Sequence, residues 1–152
     1  MDTPVQVNIK YLHPVCEASP LAYSTRDSVG LDLKACIDQS SMTLAPGRRA
    51  ALPTGVAIEI RTPGIAGFVV SRSGLGTKEG LVVSQGVGVI DPDYRGEIIV
   101  SLLNTSQTER TIHRGQRVAQ LLFMPAFQAQ LLAVDSLSST SRGEGGFGHT
   151  GK

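Results

Sequence analysis

Asp91 stands in Gly88-Val-Ile-Asp-Pro-Asp-Tyr-Arg-Gly96, a carboxylate followed at once by a proline and then by an aromatic ring. A carboxylate fixed in a turn can orient and deprotonate a water molecule. In an isolated turn Asp91 need be no more than the cap that Asp and Pro at the first two positions supply. Other clusters alter that weighing. Arg72-Ser73-Gly74 is a basic, hydroxylic, glycine-containing turn after an apolar strand, and Arg117-Val-Ala-Gln120 opens another strand with a cation and an amide. Gly30-Leu-Asp32-Leu33 sets a carboxylate between two leucines, where it needs a partner. The final stretch, Arg142 to Lys152, has five glycines together with Arg142, Phe147, His149, Thr150 and Lys152. Such groups grip phosphates and stack on a flat ring, so this tail suits closure over a nucleotide.

Two familiar phosphate-binding patterns fit the tail and are set aside. Gly143, Gly145 and Gly148 satisfy G-x-G-x-x-G, and Gly146 to Lys152 spells G-x-x-x-x-G-K. Each needs a strand before it and a helix after it, because the helix N-terminus supplies the oriented N–H donors. Here Leu137-Ser-Ser-Thr-Ser141 precedes and the sequence ends at Lys152. What survives is that many small residues with free N–H groups can wrap anionic oxygens.

These residues must be positioned by strands. Val5–Tyr11 and Gly55–Arg61 alternate apolar and polar positions, and 67–71, 80–83, 86–90, 98–103 and 118–123 are short apolar runs, with 130–134 a further candidate. Turn signals at Ala45-Pro-Gly47, Thr62-Pro-Gly64, Asp91-Pro-Asp93 and Arg114-Gly115 separate them. The Asp91 segment reads as a hairpin. No window sustains a capped helix of three turns, and Leu75–Gly80 is too rich in glycine for one. The expected fold is all-β, a jelly-roll-like antiparallel sandwich or barrel. Residues 1–135 form its single domain, and 136–152 a serine-rich tether with a flexible, glycine-rich tail.

The 152 residues suffice for one domain with a real core. A formal net charge of +1 argues against a general nucleic-acid binder. Cys16 and Cys36 match neither a metal-ligand spacing nor a disulfide framework and are expected to be small buried residues in a reducing cytoplasm. Met1-Asp-Thr-Pro lacks the basic start and apolar run of a signal peptide, and no apolar stretch has the length of a membrane span.

From Leu31 to Lys152 the chain resembles the trimeric dUTP pyrophosphatases (dUTPases). The resemblance rests on five ordered motifs: Val29-Gly-Leu-Asp-Leu-Lys-Ala35, Ser71-Arg-Ser-Gly-Leu75, Gly88 to Gly96, Arg117-Val-Ala-Gln120, and Arg142 to Gly151. It implies hydrolysis of dUTP to dUMP and pyrophosphate by water attacking the α-phosphorus, which keeps uracil out of DNA and supplies dUMP for thymidylate synthesis. Asp91 matches the base. Tyr94 matches the ring that packs on deoxyribose and leaves no room for a 2′-hydroxyl. Arg72, Ser73 and Gly74 match the turn that contacts the triphosphate, and Gln120 a glutamine on the phosphates. The resemblance implies that the backbone around Gly86–Val89 reads the uracil edge and that Gly88, Val89 and Ile90 are substrate-binding positions, with Gln85 where bacterial relatives often carry asparagine. Arg142 and Phe147 match tail residues that hold the γ-phosphate and cover the uracil, and Gly148, His149 and Thr150 would line the phosphates. Asp32 and Arg117 match residues that support the site. The resemblance also implies Mg²⁺ held by phosphate oxygens and water, a homotrimer with shared sites, and a cytoplasmic enzyme. Ser71 stands where the family usually has proline, which removes a backbone restraint but no chemical group.

Fixing about ten tail residues costs roughly 10–20 kcal/mol gross in backbone entropy. Phe147 stacking returns only ~0.5–1.5 kcal/mol, and each charge-assisted hydrogen bond ~1.5–3 kcal/mol. The tail is therefore expected to order only over bound nucleotide. Two rival readings are the dCTP deaminases, whose catalytic glutamate would fall at Ser101, and a non-catalytic module that senses dUTP. His13 and His113 are expected at the surface or in turns, Lys78 and Glu79 in a solvated turn, and Arg95 as a surface charge.

Overall fold

Along Glu97–Asn104 every second side chain is inward: Ile98, Val100, Leu102 and Asn104 are buried, whereas Ile99 is exposed. That two-residue period is the sequence signature of a strand with one face on a core. The computed structural model describes residues 4–146. Its strands are β1 (Val7–Tyr11), β2 (Leu31–Lys34), β3 (Ser41–Leu44), β4 (Arg49–Ile60), β5 (Ile65–Ser71), β6 (Leu81–Val83), β7 (Gly88–Ile90), β8 (Glu97–Asn104), β9 (Arg110–His113) and β10 (Arg117–Pro125). Two short helices accompany them, α1 (Pro14–Glu17) and α2 (Ser73–Glu79).

The strands form a sheet ordered β1-β4-β8-β6, a second ordered β2-β10-β5-β7, and the pair β3-β9. Every pairing is antiparallel. This is the expected all-β jelly-roll. Leu33, Leu52, Val56, Leu81, Val100, Val118 and Leu121 fill the space between the sheets. The buried polar side chains Thr54 and Asn104 are both satisfied. Thr54 Oγ1 donates to Ile98 O at 2.6 Å, and Asn104 Nδ2 donates to Leu44 O and Thr108 O at 2.8 Å. Each ties neighbouring segments at the core rather than leaving an orphaned dipole.

The structure departs from the sequence expectation in four places. Arg72-Ser73-Gly74 is no turn: Arg72 is the N-cap of α2, which survives its glycines because it is only seven residues long. Gly80 ends it in the left-handed conformation, φ 70°, with its N–H returning to Gly76 O and Leu75 O. The Asp91 segment is no hairpin. β7 pairs with β5 in one sheet and β8 with β4 and β6 in the other, so the segment crosses between sheets. Residues 130–134 form no strand; Leu131 and Leu132 are exposed, in an arm without regular structure that leaves β10 at Pro125. Strands at 31–34, 41–44, 49–54 and 110–113 were not expected, being short or carrying charged residues, proline and threonine.

Cys16 and Cys36, unrelated by spacing, meet inside the fold as free thiols with their sulfurs 2.6 Å apart. Both also reach Thr54 O, at 2.8 and 3.1 Å. Burial, reinforced by the neighbouring Cys16 and the charge of Glu97, pushes the Cys36 thiol up to about 12. Next to them β4 breaks register between Pro53 and Ala57. Gly55 occupies that bulge at φ 65°, and its N–H donates to Glu97 Oε1 at 2.6 Å.

Candidate active site

The crossing between sheets opens a cleft of about 400 Å³ lined by Val69, Gln85, Val87 to Asp91, Tyr94, Glu97, Ile98 and Ile99. The sequence-derived candidates Asp91, Tyr94, Gln85, Gly88, Val89 and Ile90 thus share one site. Asp91 lies at its rim, exposed, and its carbonyl accepts the Tyr94 N–H at 3.1 Å, closing a turn around Pro92 and Asp93. Among the described residues β7 is the outermost strand of its sheet and pairs only with β5. Its other side therefore offers main-chain N–H and C=O groups to a ligand, as edge strands do. The Tyr94 hydroxyl donates to Glu97 O at 2.9 Å, which pins the ring beside Asp91.

A second cluster is built on β2, β10 and the start of α2. Asp32 lies opposite Gln120 in the β2–β10 ladder, and Ser71, one residue before Arg72, lies opposite Ala119. Asp32 Oδ1 accepts from Arg72 Nε and Oδ2 from Arg117 NH1, each at 2.9 Å. The partner demanded by a carboxylate among leucines is thus supplied twice. Asp32 is largely shielded, while the Arg117 side chain is half exposed. Gly30 makes room for Gln120: a Cβ there would come within 3.1 Å of Gln120 Nε2. Ser73 and Gly74 follow in the first turn of α2.

Arg72, Arg117 and Gln120 are not among the walls of the Asp91 cleft. Arg142 lies in the arm, exposed, with Nε donating to Gly145 O at 2.8 Å. Phe147, Gly148, His149 and Thr150 lie outside the described residues. Arg95 is exposed, as expected of a surface charge, and it also braces the turn: NH1 donates to Pro92 O at 2.7 Å and to Tyr94 O at 3.1 Å. At Ser101 the hydroxyl pairs with Ser84 Oγ at 2.8 Å, and Ser84 in turn reaches Gln85 Oε1 at 3.1 Å.

The dUTPase family model matches residues 17–151, which span both clusters and the tail. The chain belongs to the dUTPase family. The deoxyuridine 5'-triphosphate nucleotidohydrolase of Shewanella sp. (strain ANA-3) is 47% identical over 151 residues, 99% of each chain. That of Cronobacter sakazakii (strain ATCC BAA-894) is 47% identical over 149 residues, 97% of each. In structure the chain is similar to the Staphylococcus bacteriophage 80alpha dUTPase with dUPNHPP, with a TM-score of 0.83, 25% identity, and coverage of 97% and 99%. Within this dUTPase fold, sequence reasoning overlooked Gly30 and Glu97. The signal for Gly30 was a glycine two residues before a carboxylate on a strand; for Glu97 there was none, because its role depends on the distant Gly55 bulge.

Proposed function

We infer that this enzyme, a dUTP diphosphatase, hydrolyses dUTP to dUMP and pyrophosphate with Asp91 as the base. Asp91 takes a proton from water, the water oxygen bonds to the α-phosphorus, and the bond from that phosphorus to the α–β bridging oxygen breaks, releasing pyrophosphate. One observation carries the reading: a solvent-accessible carboxylate, an unpaired strand edge and an aromatic ring line the same cleft. The free edge of β7 suits the alternating donors and acceptors of uracil, with Gln85 at its end. The Tyr94 ring forms the wall against deoxyribose, and a 2′-hydroxyl finds no room there.

Arg72, Ser73, Gly74 and Gln120 receive the triphosphate, with Asp32 and Arg117 holding Arg72 in place. Catalysis of this type is mostly positioning and charge stabilisation. Mg²⁺ would be held by the nucleotide's phosphate oxygens and water rather than by protein carboxylates, and would supply charge neutralisation there. Both Asp32 oxygens are engaged by arginines, a donor set that suits anchoring cations rather than ligating a metal. The separation of the phosphate cluster from the Asp91 cleft supports a homotrimer in which sites are completed between subunits. The body of residues 1–135 would then pass a tether and tail, 136–152, to a filled site, where Arg142, Phe147, Gly148, His149 and Thr150 cover the nucleotide. Among the described residues no helix is long and apolar enough to cross a membrane. A cytoplasmic location is proposed from the resemblance to the family alone.

Incubation with dUTP or dCTP and Mg²⁺, with pyrophosphate and ammonia both measured, tests the assignment. Pyrophosphate from dUTP is expected. Ammonia from dCTP would support a deaminase, against which Ser101 already argues because a hydroxyl cannot replace the glutamate base. Binding of dUTP without turnover would leave only the sensing module.

A further inference from the structure

Gly96 has no positive φ, so nothing in its backbone calls for glycine. What fills the space of a side chain there is Tyr94. A Cβ at Gly96 would fall closest to the Tyr94 hydroxyl oxygen, 2.6 Å from Cζ and 3.0 Å from Cε2. Real Cβ atoms do not approach ring carbons so closely, and a rigid ring cannot fold away within its own plane. The ring is held in that hollow by its hydroxyl, which donates to Glu97 O at 2.9 Å. Arg95 clamps the same turn through Pro92 O and Tyr94 O.

We propose that Gly96 is a positioning residue that seats the Tyr94 ring and thereby sets the enzyme's discrimination between deoxyribose and ribose. The inference rests on the reading of Tyr94 as the sugar wall. An alanine at 96 displaces the ring from its hollow and breaks the bond to Glu97 O. Tyr94 is 44% exposed, so the ring has solvent into which to move and the fold need not yield. The penalty then falls on substrate fit rather than on stability.

Steady-state kinetics with dUTP and UTP on Gly96→Ala, Tyr94→Ala and the double variant, with melting temperatures by circular dichroism, test this. Gly96→Ala is expected to raise KM for dUTP on the order of tenfold, to lower kcat less, and to shrink the dUTP-to-UTP preference. In the Tyr94→Ala background the same change is expected to add less than about twofold, because the ring it displaces is gone. An equal effect of Gly96→Ala in both backgrounds overturns the proposal, as does dUTP and UTP kinetics unchanged from the parent enzyme. Should Gly96→Ala fail to fold, the double variant must fold if the ring is the obstacle; failure of both overturns it too. If Tyr94→Ala alone leaves KM and sugar preference unchanged, the sugar-wall reading itself falls and takes this inference with it.

Discussion

Arg72 is oriented by Asp32: its Nε, rather than the tip of the guanidinium, donates to Oδ1 at 2.9 Å. The arginine is thus held from the side, with NH1 reaching Arg117 O at 3.2 Å. Asp32→Asn keeps the shape and removes the charge. Losing a charge-assisted bond of ~1.5–3 kcal/mol is expected to lower kcat/KM for dUTP roughly tenfold or more. Steady-state pyrophosphate release measures it, and an Asp32→Asn enzyme with parental kcat/KM would remove Asp32 from the site's support.

Asp91→Asn keeps a side chain of the same shape but cannot accept the proton of the attacking water. A fall in kcat of ~10²–10⁴-fold is expected, with the melting temperature unchanged because Asp91 is exposed. Single-turnover assays with saturating dUTP separate this from weakened binding. Full pyrophosphate release would refute the proposed base.

Deletion of residues 142–152 is expected to leave the unfolding transition in place, since the core lies between the sheets and ends with β10. Turnover should nonetheless drop by about two orders of magnitude if the tail closes the site, because Arg142 and the rest of the tail would no longer complete it around the phosphates. Amide exchange on the intact chain gives an independent reading. Residues 142–152 should exchange freely without ligand and slow markedly with a non-hydrolysable dUTP analogue. Strong protection in the ligand-free protein would contradict the lid.

The Cys36 thiol ionises in the unfolded chain near its ordinary value of 9.0 but in the folded protein only near about 12, chiefly because of burial. Its raised pKa means that the folded state holds a proton that the unfolded state releases. The contribution of this group is complete below pH ~9 and is lost as pH rises through the interval to about 12. Chemical denaturation between pH 8 and pH 11 should show this decline, and Cys36→Ala should flatten its slope. An unaltered slope in Cys36→Ala would exclude the thiol as its source.

Gly55 has both a positive φ, 65°, and no room: a Cβ would sit 2.8 Å from His13 Cβ and 3.0 Å from Cys36 Sγ. Gly55→Ala is expected to cost about 2–4 kcal/mol, adding backbone strain to overpacking. Urea unfolding should show the midpoint falling with little change in slope. A loss below about half a kcal/mol, the scale of ordinary surface changes, would mean that the bulge relaxes freely.

Much of this fold was readable because its strands alternate or run apolar, as 98–103 and 118–123 do. Periodicity reports which face is buried but not which strand lies alongside. That is why the Asp91 segment looked like a hairpin when it joins two sheets. The Asp32 pairing was half legible: a carboxylate between leucines announces that it needs a cation. Arg72 and Arg117, at separations of 40 and 85 residues, are chosen only by the fold. The meeting of Cys16 with Cys36 and of Glu97 with Gly55 left no local trace at all. Helix α2 was missed because glycine's propensity cost is small over seven residues once Leu75 is anchored in the core.

The arm that leaves β10 at Pro125 carries its own kinetic consequence. From 126 to 141 it can span about 50 Å at ~3.3 Å per residue. A lid tethered at that range meets its pocket as a resident of the same particle, at an effective concentration on the order of millimolar. Capping by the proposed lid would therefore not weaken when the enzyme is diluted. Lengthening or shortening the arm, rather than changing any residue that touches nucleotide, would then retune how often an occupied site is capped.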